Sequence, residues 1–279
     1  MFIRCWGARG SIPVSGRQYL HYGGNTTCLE IRTKTDEILI VDAGSGIREL
    51  GNFLLKENRH DFTILLTHAH WDHILGFPFF KPIYSSKTKI NIWGCLLAQT
   101  SLKEMLSRTM APPNFPVNFD ALRANISYQN TCIESYQLGS MMITPIALSH
   151  PNQGSGYKFK ENGKCFVFLT DNELGFRHEG GYNYETYLDF CRGADLLIHD
   201  AEYNEEEYKK TRGWGHSVYK DALKLAMEAG VKKIGLFHHN QERFDAEIDA
   251  MVDDCREIIA RRGTNLECFA VAQGTELTL

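Results

Sequence analysis

The segment Thr67-His68-Ala69-His70-Trp71-Asp72-His73 puts four metal-capable side chains within six residues. Imidazole nitrogen and carboxylate oxygen together suit zinc, and also manganese or iron. His68 and His70 can face one ion, while Asp72 and His73 can swing toward a second. Such convergence requires a sharp backbone turn held by something rigid. The short apolar run 62–66, which stops abruptly at Thr67, has the profile of an interior strand able to supply that anchor. The same arrangement recurs downstream. Apolar runs at 141–148, 165–169, 196–199 and 233–237 each release one polar residue just past the end: His150, Asp171, Asp200 and His238.

Further strands are predicted at 1–6, 27–33, 37–42 and 89–93 from their β-branched and aromatic content. A helix is expected over 46–58, where Ile47, Leu50, Phe53 and Leu54 recur at helical spacing and Ser45 or Asp42 can satisfy the free N–H groups. An amphipathic helix over 96–110 runs into Ala111-Pro112-Pro113-Asn114-Phe115-Pro116, whose prolines exclude regular structure and suit a rim or lid over substrate. Two more helices are expected at 217–230 and 245–260. The segments 266–272 and 275–279 are read as an outer strand pair. Strands alternate with helices, yet hairpin-like pairs intervene. The expected fold class is therefore α/β, two sheets sandwiched between helices in four αββα layers. No linker or repeat interrupts the chain, so residues 1–279 are read as one domain.

With 279 residues the chain can bury a full-sized core without staples. Its eight cysteines are scattered singly and are expected to be reduced, mostly buried thiols. The first residues leave no room for an export leader, and no window approaches the roughly 18 to 20 apolar residues of a membrane span. A soluble cytoplasmic protein is the expectation. The formal charge of -4 gives no global attraction for nucleic acid, and Lys232-Lys233 and Arg261-Arg262 form no long basic track.

The 67–73 segment resembles the HxHxDH motif of the metallo-β-lactamase superfamily, and the likeness extends over nearly the entire chain, including Val41-Asp42-Ala43-Gly44. The resemblance implies two divalent metal ions, zinc first with manganese or iron as alternatives. It assigns His68, His70 and His150 to one ion, Asp72, His73 and His238 to the other, and Asp171 as the bridge. Within the superfamily the sequence is most similar to the tRNA 3′-processing and phosphodiesterase branch. His199-Asp200-Ala201-Glu202 resembles that branch's HEAT motif, and Gly215-His216-Ser217 its GHST segment; Glu202 and Val218 depart from the expected Thr. Gly7-Ala8-Arg9-Gly10-Ser11-Ile12-Pro13 and Gly23-Gly24-Asn25-Thr26-Thr27-Cys28 resemble the openings of small phosphodiesterases.

That resemblance implies hydrolysis by a metal-activated hydroxide, with Asp72, Asp200 and His216 as catalytic residues. His216, oriented by Asp200, would protonate the leaving alkoxide, although a following helix disfavours imidazolium. A small or cyclic nucleotide-type phosphodiester is the leading substrate, because no glycine-rich basic arm for gripping tRNA is visible. The alternatives are tRNA 3′ processing, hydrolysis of a non-phosphate ester, thioester or lactone, a redox diiron protein, and a metal-containing binding protein. A homodimer fits related enzymes; no membrane partner is expected. His239 is read as a neighbour of the site rather than a ligand. Arg9, Arg17, His21, Asn25, Ser149, Asn152 and Gly23-Gly24 can attract phosphate or serve ordinary turns. Tyr182, Tyr184 and Tyr187 can stack a base or pack.

Overall fold

The computed structural model describes residues 1–95, 101–130 and 135–279, with Asn130 described by its backbone alone. Fourteen strands are formed there: β1 (Phe2–Gly7), β2 (Cys28–Arg32), β3 (Ile38–Val41), β4 (Asp61–Leu66), β5 (Lys89–Gly94), β6 (Asn125–Asn130), β7 (Tyr136–Leu138), β8 (Met141–Ala147), β9 (Ser155–Glu161), β10 (Lys164–Leu169), β11 (Leu196–Asp200), β12 (Lys233–Phe237), β13 (Glu267–Ala270) and β14 (Glu276–Thr278). They build two seven-stranded sheets, ordered β14-β1-β2-β3-β4-β5-β6 and β13-β12-β11-β10-β9-β8-β7. The helices are α1 (Ile47–Lys56), α2 (Trp71–Ile74), α3 (Leu102–Thr109), α4 (Tyr184–Cys191), α5 (Glu205–Thr211), α6 (Tyr219–Glu228) and α7 (Asp245–Arg262).

The period-two alternation of each interior strand sorts its side chains between two cores. In β3, Leu39 and Val41 join β10 residues Phe166 and Phe168 between the sheets. Ile38 and Ile40 face the other way, onto Ile47, Leu50 and Leu54 of α1. In the second sheet Val167, Leu197 and Ile234 meet Ala222 and Leu225 of α6 and Cys255 of α7. Three cores between four layers give the αββα sandwich, and each fully buried Leu or Ile contributes about 1.5–3 kcal/mol.

Several local expectations are corrected. Gly46, not Ser45 or Asp42, occupies the α1 N-cap; the Ser45 hydroxyl instead accepts from the Thr26 N–H at 2.9 Å. The segments near the C-terminus do not pair with each other: β13 extends the second sheet beside β12 and β14 the first beside β1. Both sheets therefore gain an edge from one short stretch of chain. Helix α3 begins at Leu102, capped by Ser101; the 96–100 part of the expected helix lies outside the described residues. Cys5, Cys28, Cys165, Cys191, Cys255 and Cys268 are free thiols. Cys95 is disulfide-bonded, contrary to the expectation, because sequence spacing reports nothing about approach in space; Cys132 lies outside the described residues. The β9–β10 hairpin was not foreseen, although Asn162-Gly163, with φ of 49° and 75°, carries the turn signal for it. No helix among the described residues is long and apolar enough to cross a membrane.

Candidate metal centre

Strand direction decides where the polar residues gather. Strands β3 to β6 run parallel to one another, as do β10 to β13. Strand β8 is antiparallel to β9, which is antiparallel to β10, so β8 ends at the same edge as β10. His68 follows β4, His150 follows β8, Asp171 follows β10 and His238 follows β12, all at C-terminal ends. At three strand ends the backbone enters the left-handed region without glycine: Asp42 (φ 63°), Asp171 (φ 51°) and His238 (φ 58°). This conformation costs of order 1–3 kcal/mol per residue and turns each side chain back toward the sandwich. A polar cavity lined by Asp36, Arg59, His60 and Lys87 lies at the opposite, N-terminal ends of β3, β4 and β5, away from these residues.

All seven residues expected as ligands meet at this edge. His68, His70, His150 and Asp171 bring one ligand atom each within 4.8 Å of one another, and so do Asp72, His73, Asp171 and His238. Asp171 belongs to both groups. Its Oδ1 stands 3.2 Å from His73 Nε2, and its Oδ2 is 3.4 Å from His238 Nε2, 3.6 Å from His68 Nε2 and 3.8 Å from His150 Nε2. His70 is half-buried; the other six are buried.

Each buried histidine is turned by a partner on its far nitrogen. Asp42 lies 2.7 Å from His73 Nδ1 and also accepts from the Thr67 N–H and hydroxyl at 2.8 Å. The Gly215 carbonyl accepts from His150 Nδ1 at 2.9 Å, and Glu202 lies 2.8 Å from His238 Nδ1. His68 Nδ1 contacts the Thr67 hydroxyl at 3.1 Å. The inward Nε2 atoms of His68 and His73 are buried without a hydrogen-bond partner. Buried polar atoms are rarely left so, and inward nitrogens backed by outer acceptors are the usual support of a metal-ligating histidine. The donor set therefore fits divalent ions.

Two glycines permit this closeness. A Cβ on Gly215 (φ 98°) would stand 2.1 Å from His150 Nδ1, and one on Gly10 would stand 2.4 Å from His238 Nδ1.

The two groups differ in charge. Burial lowers the basicity of His68, His70 and His150, the last to about 3, leaving neutral imidazoles. Burial also disfavours charge on His73 and His238, but Asp171, Asp72, Asp42 and Glu202 overcome it and hold both well above the ordinary value. Burial would raise Asp72 and Asp171, yet the histidines facing them hold both well below the usual carboxylate range.

His216 and Asp200 stand beside the second group, with His216 Nδ1 2.6 Å from Asp200 Oδ2 and 3.3 Å from Glu202 Oε2. The His216 ring stacks on His238 at 4.7 Å. Burial opposes its protonation, but Glu202 and Asp200 raise it to about 9. The two carboxylates thus outweigh burial and favour the imidazolium.

The family model of the β-lactamase superfamily domain matches residues 38–239. The chain belongs to the metallo-β-lactamase superfamily. Among similar proteins is a ribonuclease Z of Oceanobacillus iheyensis, 21% identical over 275 residues, spanning 84% of this chain and 89% of that one. The metallo-β-lactamase fold protein YhfI from Bacillus subtilis superposes with a TM-score of 0.72 at 16% identity, covering 99% of this chain and 98% of its own. A diphosphatase of the PhnP family superposes with 0.69 at 16% identity, covering 100% and 97%.

Other polar residues weighed in the sequence have structural work in this superfamily member. Arg9 is fully buried and donates to the carbonyls of Gly23, Asn240 and Arg243. His239 Nε2 pairs with the Val271 carbonyl at 2.8 Å. The Ser149 hydroxyl donates to the Phe176 carbonyl, and Asn25 accepts from the Ser45 hydroxyl. The Tyr187 hydroxyl donates to the Ala147 carbonyl and the Tyr184 hydroxyl to Glu228, the packing alternative for both. The glycine-rich opening lies on the centre through the Ser11 N–H, which donates to Asp72 Oδ2 at 2.8 Å. Glu202 and Glu173 were missed. Buried Glu173 accepts from the Gly213 and Gly215 N–H groups at 2.7 Å and so fixes the loop entering His216. Its place two residues after Asp171 was the available signal.

Proposed function

We propose that this protein is a phosphodiesterase that uses two divalent ions, zinc first, to hydrolyse a small nucleotide-type phosphodiester. The observation that carries the reading is the pair of four-residue groups sharing Asp171, with the hydrogen-bonded His216–Asp200 pair alongside. His68, His70 and His150 would hold one ion, Asp72, His73 and His238 the other, and Asp171 both. When bound, such ions would lower the pKa of a water and neutralise charge gathering on phosphoryl oxygens. The remaining chemistry belongs to the chain. Glu202 and Asp200, both facing Nδ1, favour protonation of His216, so Nε2 would have a proton to give to a departing alkoxide. That group has an evident use when an alkoxide leaves and little when a thiolate does.

A second reading, tRNA 3′ processing, is favoured by one observation: ribonucleases Z are among the similar proteins. The formal charge of -4 weighs against a long phosphate backbone as the main target. Zinc- or manganese-reconstituted protein offered bis(p-nitrophenyl) phosphate, a 2′,3′-cyclic nucleotide and a 3′-extended precursor tRNA decides between them. Metal-dependent turnover of the small diesters with little tRNA cleavage is expected. Efficient cleavage of the tRNA alone would replace the small-substrate reading, and inertness on all three would remove phosphodiester hydrolysis.

A further inference from the structure

Beside the metal loop lies a cavity of about 560 Å³ walled by Ala69, Trp71, Phe79, Met105 and Phe115, with Arg108 and Asn114 among its polar lining. Its size falls within the ~300–1,000 Å³ of small-molecule sites. Ala69 and Trp71 alternate with His68, His70 and Asp72, so one stretch of backbone makes both the cradle of the proposed metals and the wall of the cavity. Trp71 is 80% exposed and Phe79 51% exposed, large apolar surface that the fold itself does not use. Phe115 stands edge-on to Phe79, with ring centres 5.5 Å apart and planes at 90°. Arg108 reaches the cavity from α3, tethered to Glu104 at 2.6 Å.

We propose that this cavity is the nucleobase subsite of the enzyme, with the base of the diester lying against Trp71 and between the aromatic walls while its phosphate lies at the His68–His73 loop. The inference rests on the phosphodiesterase reading and adds the place where the base of that substrate is held. A flat ring is favoured over an alkyl chain because the walls are aromatic and the lining includes an amide and a guanidinium, which can bond the hydrogen-bonding edge of a base. Aromatic stacking is worth a gain of about 5- to 150-fold in binding per base. The proline-rich segment 111–116 supplies Phe115 and Asn114 from a stiff loop, so neither must be ordered when the base arrives.

The test compares adenosine 5′-monophosphate with ribose 5-phosphate, which share the phosphate and sugar and differ by the base. Binding to the metal-loaded full chain is measured by calorimetry, with metal content recorded for every variant. The nucleotide should bind at least about tenfold tighter, a preference that falls toward one in Trp71→Ala and in Phe115→Ala and is kept in Trp71→Phe. Equal binding of both compounds to wild type overturns the subsite and leaves the phosphodiesterase reading standing. Binding of neither also overturns the subsite, and turnover of the small diesters then decides the phosphodiesterase reading by itself. A preference unchanged in Trp71→Ala, with a dimer that dissociates in the same variant on sedimentation, would make the face a contact between two copies and overturn the proposal.

Discussion

The Glu202 carboxylate lies 2.8 Å from His238 Nδ1, which leaves His238 Nε2 facing Asp72 at 3.0 Å and Asp171 at 3.4 Å. Glu202 occupies the position where the related branch carries Thr, and it also accepts from Asn240 Nδ2 at 2.9 Å. A buried anion there sets the tautomer and the orientation of His238. Removing it in Glu202→Ala should weaken the ion proposed for Asp72, His73 and His238 by about 10–100-fold, while the ion proposed for His68, His70 and His150 is retained. Metal titration of the two proteins reads this directly. Two ions bound with wild-type affinity in the variant would leave Glu202 without a positioning role.

Asp171 is the single residue common to both ligand groups, so its loss should strip both ions together with turnover. The variant must respect the backbone: Asp171 has φ 51°, and Asn tolerates that region better than Ala. Asp171→Asn should therefore fold and yet bind less than one ion per chain by elemental analysis. Retention of two ions and near-normal hydrolysis would show that the bridge lies elsewhere.

His216→Ala should lower turnover of an alkyl phosphodiester by about 10²- to 10⁴-fold, the usual worth of a general acid, and leave both ions in place. A nitrophenyl diester, whose leaving oxygen is stable as an anion, should lose far less. The comparison counts where chemistry limits both substrates. Equal losses on the two diesters would assign His216 to phosphate binding instead.

The pH dependence of folding has a separate anchor at Asp195, which accepts from Lys232 Nζ at 2.8 Å and from the Cys165 N–H at 2.9 Å. Burial would raise this carboxyl, but Lys232 and the Cys165 N–H hold it below its ordinary value. A group depressed in the folded state binds protons more readily in the unfolded chain. Its stabilisation is thus complete above the unfolded pKa, near 3.9, and fades as pH falls through the folded one. Asp195→Asn should unfold at a lower temperature than wild type at pH 7, and the gap should close below about pH 4. A gap independent of pH would exclude the charge as its source.

Much of this protein can be read along the chain. The abrupt ends of the runs before His68, His150, Asp171 and His238 mark strand termini, and those strands are present in the sandwich. Helices α1, α6 and α7 follow from their apolar spacing, since a stripe that recurs every three or four residues can be buried on only one face. Short elements are less visible: β7 has three residues, too few for any period to register. The pairing of β14 with β1 and of β13 with β12 joins residues far apart in sequence.

The sequence by itself determined the candidate ligands and the strand ends that carry them, because hydrophobic periodicity and side-chain chemistry are local properties. Only the tertiary structure decided which nitrogen of each histidine points inward. Asp42 reaches His73 across 31 positions, Glu202 reaches His238 across 36, and Gly215 reaches His150 across 65. It also decided that Arg9 is buried against backbone carbonyls and that Trp71 stands open beside a cavity. Orientation and exposure depend on what the rest of the chain packs against a residue, and no local pattern contains that information.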